Sequence, residues 1–200
     1  MGKTQSPGAR RNVGADARRI PVSKYAVEPT NKERTFADDE IIVSKTDTKG
    51  RLTYVNDVFC KVGLYTESEL LGQPHSIVRH PDMPRCVFKL LWDTLESGKE
   101  IFAYVKNMAK NGDHYWVLAH ATPSFDSRGG IVGYHSNRRV PDRAAVAQVE
   151  RLYAKLLAEE NRHADRRQGM QASHDMLVAF LREQKMEYDQ FIFTTIAEAA

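Results

Sequence analysis

Two short segments of the chain concentrate the side chains that could bind or transform a ligand. The first, residues 79–84, reads RHPDMP and places a guanidinium, an imidazole and a carboxylate on a turn that two prolines stiffen. The second, residues 110–116, reads KNGDHYW and leads from an Asn-Gly turn into an aromatic-rich strand. Oriented polar groups beside aromatic rings are typical of a ligand-binding site rather than of a hydrolase active site.

Motifs of known catalytic machinery are missing from the sequence. It contains no phosphate-binding loop of the GxxxxGK(S/T) type, no GxSxG elbow and no protein-kinase motif set. The two cysteines, Cys60 and Cys86, lack the spacing of a metal knuckle, and we expect both to be small core residues in a reducing compartment. The sequence therefore predicts a protein that is not an enzyme.

The elements that must position the two segments follow a clear order along the chain. Apolar periodicity predicts short helices after residue 56 and a longer helix that begins at Pro84 and ends at Gly98. Alternating runs, joined by hairpin-type turns, predict strands on either side of these helices. The result is an α+β fold, a five-stranded antiparallel sheet with helices on one face. The predicted strands are 40–47, 51–55, 100–108, 113–123 and 131–139.

The regions that flank this body differ from it in composition. Residues 1–36 mix Gly, Pro, Ser, Arg and Lys without apolar periodicity, which predicts a disordered basic arm. After Pro141, two apolar stripes separated at Gly169 predict a C-terminal helical hairpin whose apolar faces need a partner. The predicted domains are therefore an arm at 1–36, a folded domain at 37–140 and amphipathic helices at 141–200.

Charge and hydropathy restrict the partners and the compartment. The net charge of +3 is concentrated in the first 34 residues, with eight Lys/Arg and three Asp/Glu, so the body is close to neutral. A near-neutral body argues against nucleic-acid binding. No stretch approaches the roughly 18 consecutive apolar residues of a membrane span, and no apolar signal core is visible. We expect a cytoplasmic protein.

Five short motifs, in this order of predicted elements, match a known family. They are YVND at 54–57, GQPH at 72–75, VRHPDMP at 78–84, VKN at 105–107 and KNGDHYWV at 110–117. With these motifs, residues 38–140 resemble a PAS domain of the type found in bacterial aerotaxis and energy-taxis receptors. The resemblance implies a PAS sensor that binds FAD noncovalently and signals redox or energy state. It also implies a partner in trans, a membrane chemoreceptor or another signalling protein, and a homodimer formed through the PAS domain or the C-terminal helices.

The resemblance also implies a set of flavin-binding residues. In these receptors, the positions that contribute to flavin binding correspond here to Asn56, Arg79, His80, Asp82 and Asn107. A flavin ring is a flat apolar plate with a polar edge, which needs apolar walls and a few oriented donors. Strand alternation places Ile101, where these receptors have a Trp, on the same face as Asn107. Trp116 completes the predicted set.

Two other functions stay open from the sequence. A haem b protein would sense oxygen or another gas through a histidine ligand. A cofactor-free interaction module would use the sheet and residues 141–200 only to assemble partners. The candidate haem ligands are His75, His80, His114, His120 and His135.

Overall fold

The computed structural model describes residues 27–199, so most of the predicted basic arm lies outside the described residues. The prediction of disorder is wrong for residues 27–36, which pack against the folded domain through main-chain hydrogen bonds. The N–H of Thr30 donates to the carbonyl of Gly112 at 3.0 Å, and the N–H of Arg34 donates to that of His114 at 2.7 Å. A Cβ on Gly112 would lie 2.3 Å from the carbonyl oxygen of Glu28, so this close approach requires glycine.

A single five-stranded antiparallel sheet forms the centre of the fold, as predicted from the alternating runs. Its spatial order is β2-β1-β5-β4-β3, which places the first hairpin beside the last strand and leaves β3 at one edge. Every neighbouring pair of strands is antiparallel. The strands are β1 Ile42–Thr46, β2 Leu52–Val55, β3 Ile101–Met108, β4 His114–Phe125 and β5 Ile131–Arg139.

Short helices between β2 and β3 cover one face of the sheet, and local capping determines where they begin. Thr66 and Glu69 form a capping box at the start of α2, with each side chain bonded to the other residue's main-chain N–H. Pro84 immediately precedes the longest of these helices. The segments are α1 Asp57–Gly63, α2 Glu67–Leu70, a 3₁₀ turn at His75–Val78, and α3 Arg85–Glu96.

The register of β3 against β4 separates the two faces of the sheet. Val105 pairs with Val117, whereas Lys106 pairs with Trp116 on the opposite face. The Val105 face looks toward α3 and carries Ile101, Ala103 and Asn107. The Lys106 face is the outer one, and the C-terminal helices cover part of it.

Three helices follow the sheet: α4 Arg143–Asn161, α5 Arg166–Glu183 and α6 Tyr188–Ala199. The predicted helical hairpin is formed by α4 and α5, but its turn does not lie at Gly169. Asp165 caps the start of α5, accepting hydrogen bonds from the N–H groups of residues 167 and 168. Gly169 lies inside α5, where a Cβ would come within 2.4 Å of the carbonyl oxygen of Glu160, so the glycine permits close packing of the two helices.

The apolar stripes of these helices find their partner within the same chain. The hydroxyl of Tyr153 in α4 donates to the carbonyl of Tyr104 at 2.8 Å. The ring of Phe193 in α6 lies 5.1 Å from that of Phe102, centroid to centroid. The helices therefore pack on the outer face of the sheet at its β3 edge. Across residues 27–199, the helices are too short or too polar to span a membrane.

Candidate ligand-binding cavity

A cavity of about 330 Å³ lies between the inner face of the sheet and α3. On one side, α3 contributes a wall of large apolar side chains. On the other, β4 contributes only the methyl groups of Ala119 and Ala121, which leaves space between the layers. The volume is at the lower end of the range for small-molecule sites. The apolar side chains of the α3 wall are Phe88, Leu91, Trp92 and Leu95.

Two of the predicted site residues, Arg79 and Asn107, line this cavity. The RHPDMP turn runs along the exposed edge of β3, and Arg79 forms an isolated antiparallel bridge with Asn107 there. The guanidinium of Arg79 lies 4.1 Å from the ring centroid of Phe88, and its Nη2 donates to the carbonyl of Met83 at 3.3 Å. Backbone pairing and a cation–π contact therefore place the two side chains in one site.

His80 and Asp82 belong to the same turn, but neither side chain lines the cavity. His80 is 1% exposed, and its Nδ1 accepts a hydrogen bond from the N–H of Asp82 at 3.1 Å. The Asp82 carboxylate accepts from Nζ of Lys106, on the outer face, at 2.8 Å. Burial, reinforced by the Lys106 charge, lowers the pKa of His80 to about 4. These two residues hold the turn that presents Arg79.

Asn56 also lies away from the cavity, where it joins β1 to α1. Its Oδ1 accepts from the N–H of Val43 at 2.9 Å and from that of Phe59 at 3.1 Å. Its Nδ2 donates to the carbonyl of Ile41 at 2.8 Å. Both ends of the amide are thus bonded to main chain, so Asn56 fixes the first helix rather than offering a free polar group.

Ile101 and Trp116 occupy different layers of the fold. Ile101 lies on the inner face, as strand alternation predicts, but it is buried in a cluster with Leu95, Ala121 and Tyr134 and forms a second layer behind the cavity wall. Trp116 lies on the outer face, where its ring packs near that of Tyr153 with a centroid distance of 6.3 Å. Trp116 is therefore separated from the cavity by the sheet itself.

A polar cluster at one end of the cavity was not anticipated from the sequence as a group. Arg138 of β5 donates from Nη2 to Oγ of Ser44 at 2.9 Å and to Nε2 of His75 at 2.6 Å. Burial, with the Arg138 charge as a second cause, lowers the pKa of His75 to about 3, so this imidazole is a neutral acceptor at neutral pH. Because that nitrogen is engaged by Arg138, it is not presented to the cavity as a haem ligand.

The sequence of the folded body identifies its family. Residues 52–138 match the family described as PAS fold. This segment is a PAS domain. The predicted resemblance and the predicted α+β architecture are therefore confirmed.

Two curated relatives extend the comparison beyond the PAS domain. The chain is 46% identical over 129 residues to the aerotaxis receptor of Escherichia coli (strain K12), an alignment that covers 64% of this chain and 25% of the receptor. It is 27% identical over 99 residues to the nitrogen fixation regulatory protein of Klebsiella pneumoniae, covering 50% of this chain and 20% of that protein. The chain thus spans a quarter or less of the length of these relatives.

Among solved structures, the light state of the blue-light photoreceptor Aureochrome1 LOV aligns with 61% of this chain and 91% of its own, at 23% identity and a TM-score of 0.48.

Within the described part of the PAS domain and its helices, no group of three or more His, Cys, Asp or Glu side chains is arranged to hold a metal ion. Cys86 is buried and Cys60 half-buried, and both are free thiols.

Proposed function

We propose that this chain is a sensor whose PAS cavity binds FAD noncovalently and that it reports the redox state of the flavin to a partner signalling protein. The observation that carries the proposal is the division of the cavity into an apolar wall and a polar end. The α3 side chains offer apolar surface to a flat ring, while Asn107, Arg79 and Arg138 offer donors to its polar edge. Similarity to the aerotaxis receptor supports the same function.

The polar groups match the needs of a flavin ring. The amide of Asn107 can donate and accept at once, which suits the alternating carbonyl and N–H groups of the ring edge. Nη1 of Arg138 is buried and has no hydrogen-bond partner among the described residues. An unsatisfied buried donor at a cavity is stabilised by a ligand acceptor. When bound, the flavin supplies reversible two-electron redox chemistry.

A second feature favours a dinucleotide over a bare flavin ring. Arg79 also borders a depression of about 270 Å³ between the RHPDMP turn and α4 and α5. Arg85 and Arg166 are further cations in its lining, and the carboxylate of Glu160 is its acidic member. Guanidinium groups bind phosphate oxygens well. We therefore propose that the diphosphate of FAD occupies this side of Arg79.

The turn that carries Arg79 is connected to the C-terminal helices by two sets of contacts. On one side, Asp82 bonds Lys106, whose Nζ lies 3.8 Å from the carboxylate of Glu150 in α4. On the other, Arg85 bonds Glu160 of α4 at 2.8 Å. A switch requires contacts that differ between two states of the ligand. We propose that a change in the charge of the flavin beside Arg79 alters the position of this turn and thereby the packing of α4.

The proposed output is a protein contact. The curated relatives are a receptor and a regulatory protein, which supports a signalling partner. We propose a membrane chemoreceptor or another signalling protein as this partner in trans, a homodimer formed through the PAS domain or the helices, and a cytoplasmic location. Because α4–α6 cover apolar side chains of the outer sheet face, deleting residues 141–200 would expose that face. Point variants therefore test the proposed function more specifically than this deletion does.

The experiment is a visible absorption spectrum of the purified full chain, before and after dithionite and after incubation with FAD. We expect a two-banded yellow spectrum that bleaches on reduction, and tighter binding of FAD than of riboflavin. We expect loss of bound flavin from Arg79→Ala and from Asn107→Ala, each with the far-UV circular dichroism spectrum of the wild type. The control variant Arg128→Ala, in the turn between β4 and β5, should retain the flavin. A Soret band would identify haem instead, and a protein that stays colourless would identify an interaction module.

A further inference from the structure

Arg138 is a buried cation that faces only neutral groups. It is 4% exposed and forms hydrogen bonds to Ser44 and His75. Its guanidinium carbon lies over the Phe59 ring, 5.5 Å from the ring centroid. No salt bridge joins it to a carboxylate among residues 27–199, and its Nη1 has no hydrogen-bond partner there. Buried charges are normally paired, so this arrangement lacks an anion.

The position of Arg138 indicates where an anion would bind. The side chain stands on the inner face of β5 and lines the same cavity as Asn107 and Arg79. Burial lowers the pKa of Arg138 only to about 10, so the guanidinium keeps its charge at neutral pH. Its Nη2 already bonds two acceptors, which orients the group, whereas Nη1 has no acceptor among the described residues. An uncompensated cation in a ligand cavity is typical of a functional site.

We propose that Arg138 recognises negative charge in the cavity and that, given the FAD proposed above, its partner is the pyrimidine edge of the reduced flavin ring. The oxidised ring is neutral. Uptake of two electrons from a low-potential donor, together with one proton that forms a single N–H bond, gives a reduced ring of charge −1. Arg138 contacts this charge directly, so it binds the reduced ring more tightly than the oxidised ring and raises the reduction potential of the bound flavin.

The test compares Arg138→Gln and Arg138→Lys with the matched control Arg139→Gln. Arg139 is the next residue of β5, is exposed and faces the other side of the sheet, away from the cavity. Arg139→Gln removes one positive charge, as Arg138→Gln does. Oγ of Ser44 lies 3.3 Å from Nε2 of His75, so these two side chains keep each other as hydrogen-bond partners when Arg138 is replaced. For each variant, FAD affinity is measured in the oxidised state and, with dithionite under argon, in the reduced state.

We expect Arg138→Gln to lower the ratio of reduced-state to oxidised-state affinity at least tenfold, equivalent to a potential about 30 mV lower for a two-electron couple. Arg138→Lys should keep the ratio within about threefold, because the charge is retained. Arg139→Gln should match the wild type. Equal affinity losses in both states, or an unchanged ratio, would show that Arg138 has only a structural role.

A spectrum of the wild-type protein tests the proposal independently of whether Arg138→Gln folds. The reduced, bound flavin should show the absorption of the anionic ring in mildly acidic buffer, and the spectrum of the neutral reduced ring would overturn the proposal. Failure of the wild type to bind FAD would refute both this proposal and the proposed function. Binding with a neutral reduced ring would refute this one alone.

Discussion

The carboxylate of Glu160 in α4 accepts a hydrogen bond from the main-chain N–H of Cys86, in the first turn of α3, at 2.9 Å. The same carboxylate accepts from Nε of Arg85 at 2.8 Å and from Oγ of Ser173 in α5 at 2.9 Å. Glu160 is 1% exposed. A carboxylate at a helix N-terminus satisfies free N–H groups and interacts favourably with the helix dipole. One side chain thus connects two C-terminal helices to the helix that lines the cavity.

Replacing Glu160 with Ala should therefore destabilise the whole protein. The substitution leaves the N–H of Cys86 and the hydroxyl of Ser173 without their shared acceptor and leaves Arg85 without its counterion. We expect the free energy of unfolding to fall by about 2–4 kcal/mol. Urea denaturation followed by circular dichroism measures this. Glu150→Ala, at a largely exposed carboxylate, should cost less than about 1 kcal/mol, and equal losses in the two variants would contradict the role of Glu160.

Filling the cavity should remove flavin binding without unfolding the protein. Ala119 lines the cavity from β4, so a Leu at this position projects into the space that the ring would occupy. We expect Ala119→Leu to lower FAD affinity at least tenfold, about 1.4 kcal/mol, while the thermal transition stays cooperative. The control is Ala147→Leu, at an exposed position of α4. Undiminished FAD binding by Ala119→Leu would place the flavin elsewhere.

Trp116 should contribute to stability but not to the ligand site. Its ring lies on the outer face of the sheet beside Tyr153, separated from the cavity by the strands. We expect Trp116→Phe to lower the free energy of unfolding by about 1 kcal/mol, because packing area against α4 is lost. FAD affinity, measured by fluorescence titration of the folded variant, should stay within about twofold of the wild type. A tenfold loss would show that Trp116 contacts the flavin.

The flavin-free protein should lose stability as the pH falls below about 6.5. The pKa values of His75 and His80 are lowered to about 3 and about 4 in the native state, against about 6.5 in the unfolded chain. Between about pH 6.5 and pH 4 the unfolded chain therefore binds protons that the native state does not, which favours unfolding. Each histidine contributes a slope of up to about 1.4 kcal/mol per pH unit.

Urea denaturation at several pH values between neutrality and about pH 5 measures that slope. The variant His75→Gln keeps an oxygen that can accept from Arg138 but cannot titrate, so its unfolding free energy should depend less steeply on pH. Stability that rises on acidification, or an identical slope in His75→Gln, would contradict this prediction. The pKa values of some carboxylates, such as Glu40 and Asp113, are lowered in the native state, so their protonation should reduce stability only at lower pH.

Features set by neighbouring residues were predictable from the sequence. The Asn-Gly turn at residue 111, the capping box that begins at Thr66 and the alternation of β3 all follow from local backbone preferences. Alternation places Ile101 and Asn107 on one face, as the structure does, and Arg79 of the RHPDMP turn lines the cavity. That these residues bind a ligand stays a prediction. These inferences need only a residue and its near neighbours, so the amino-acid sequence contains them directly.

Which face is covered, and by what, was decided by the tertiary structure. Alternation shows that Trp116 and Val117 point in opposite directions. Only the packing of α3 on one side and α4 on the other shows which of them lies on the cavity face of the sheet. Arg138 contacts His75 across 63 residues of chain, and Tyr153 contacts Tyr104 across 49. Such contacts depend on how distant segments bury their apolar surface together, a cooperative property that no local pattern encodes.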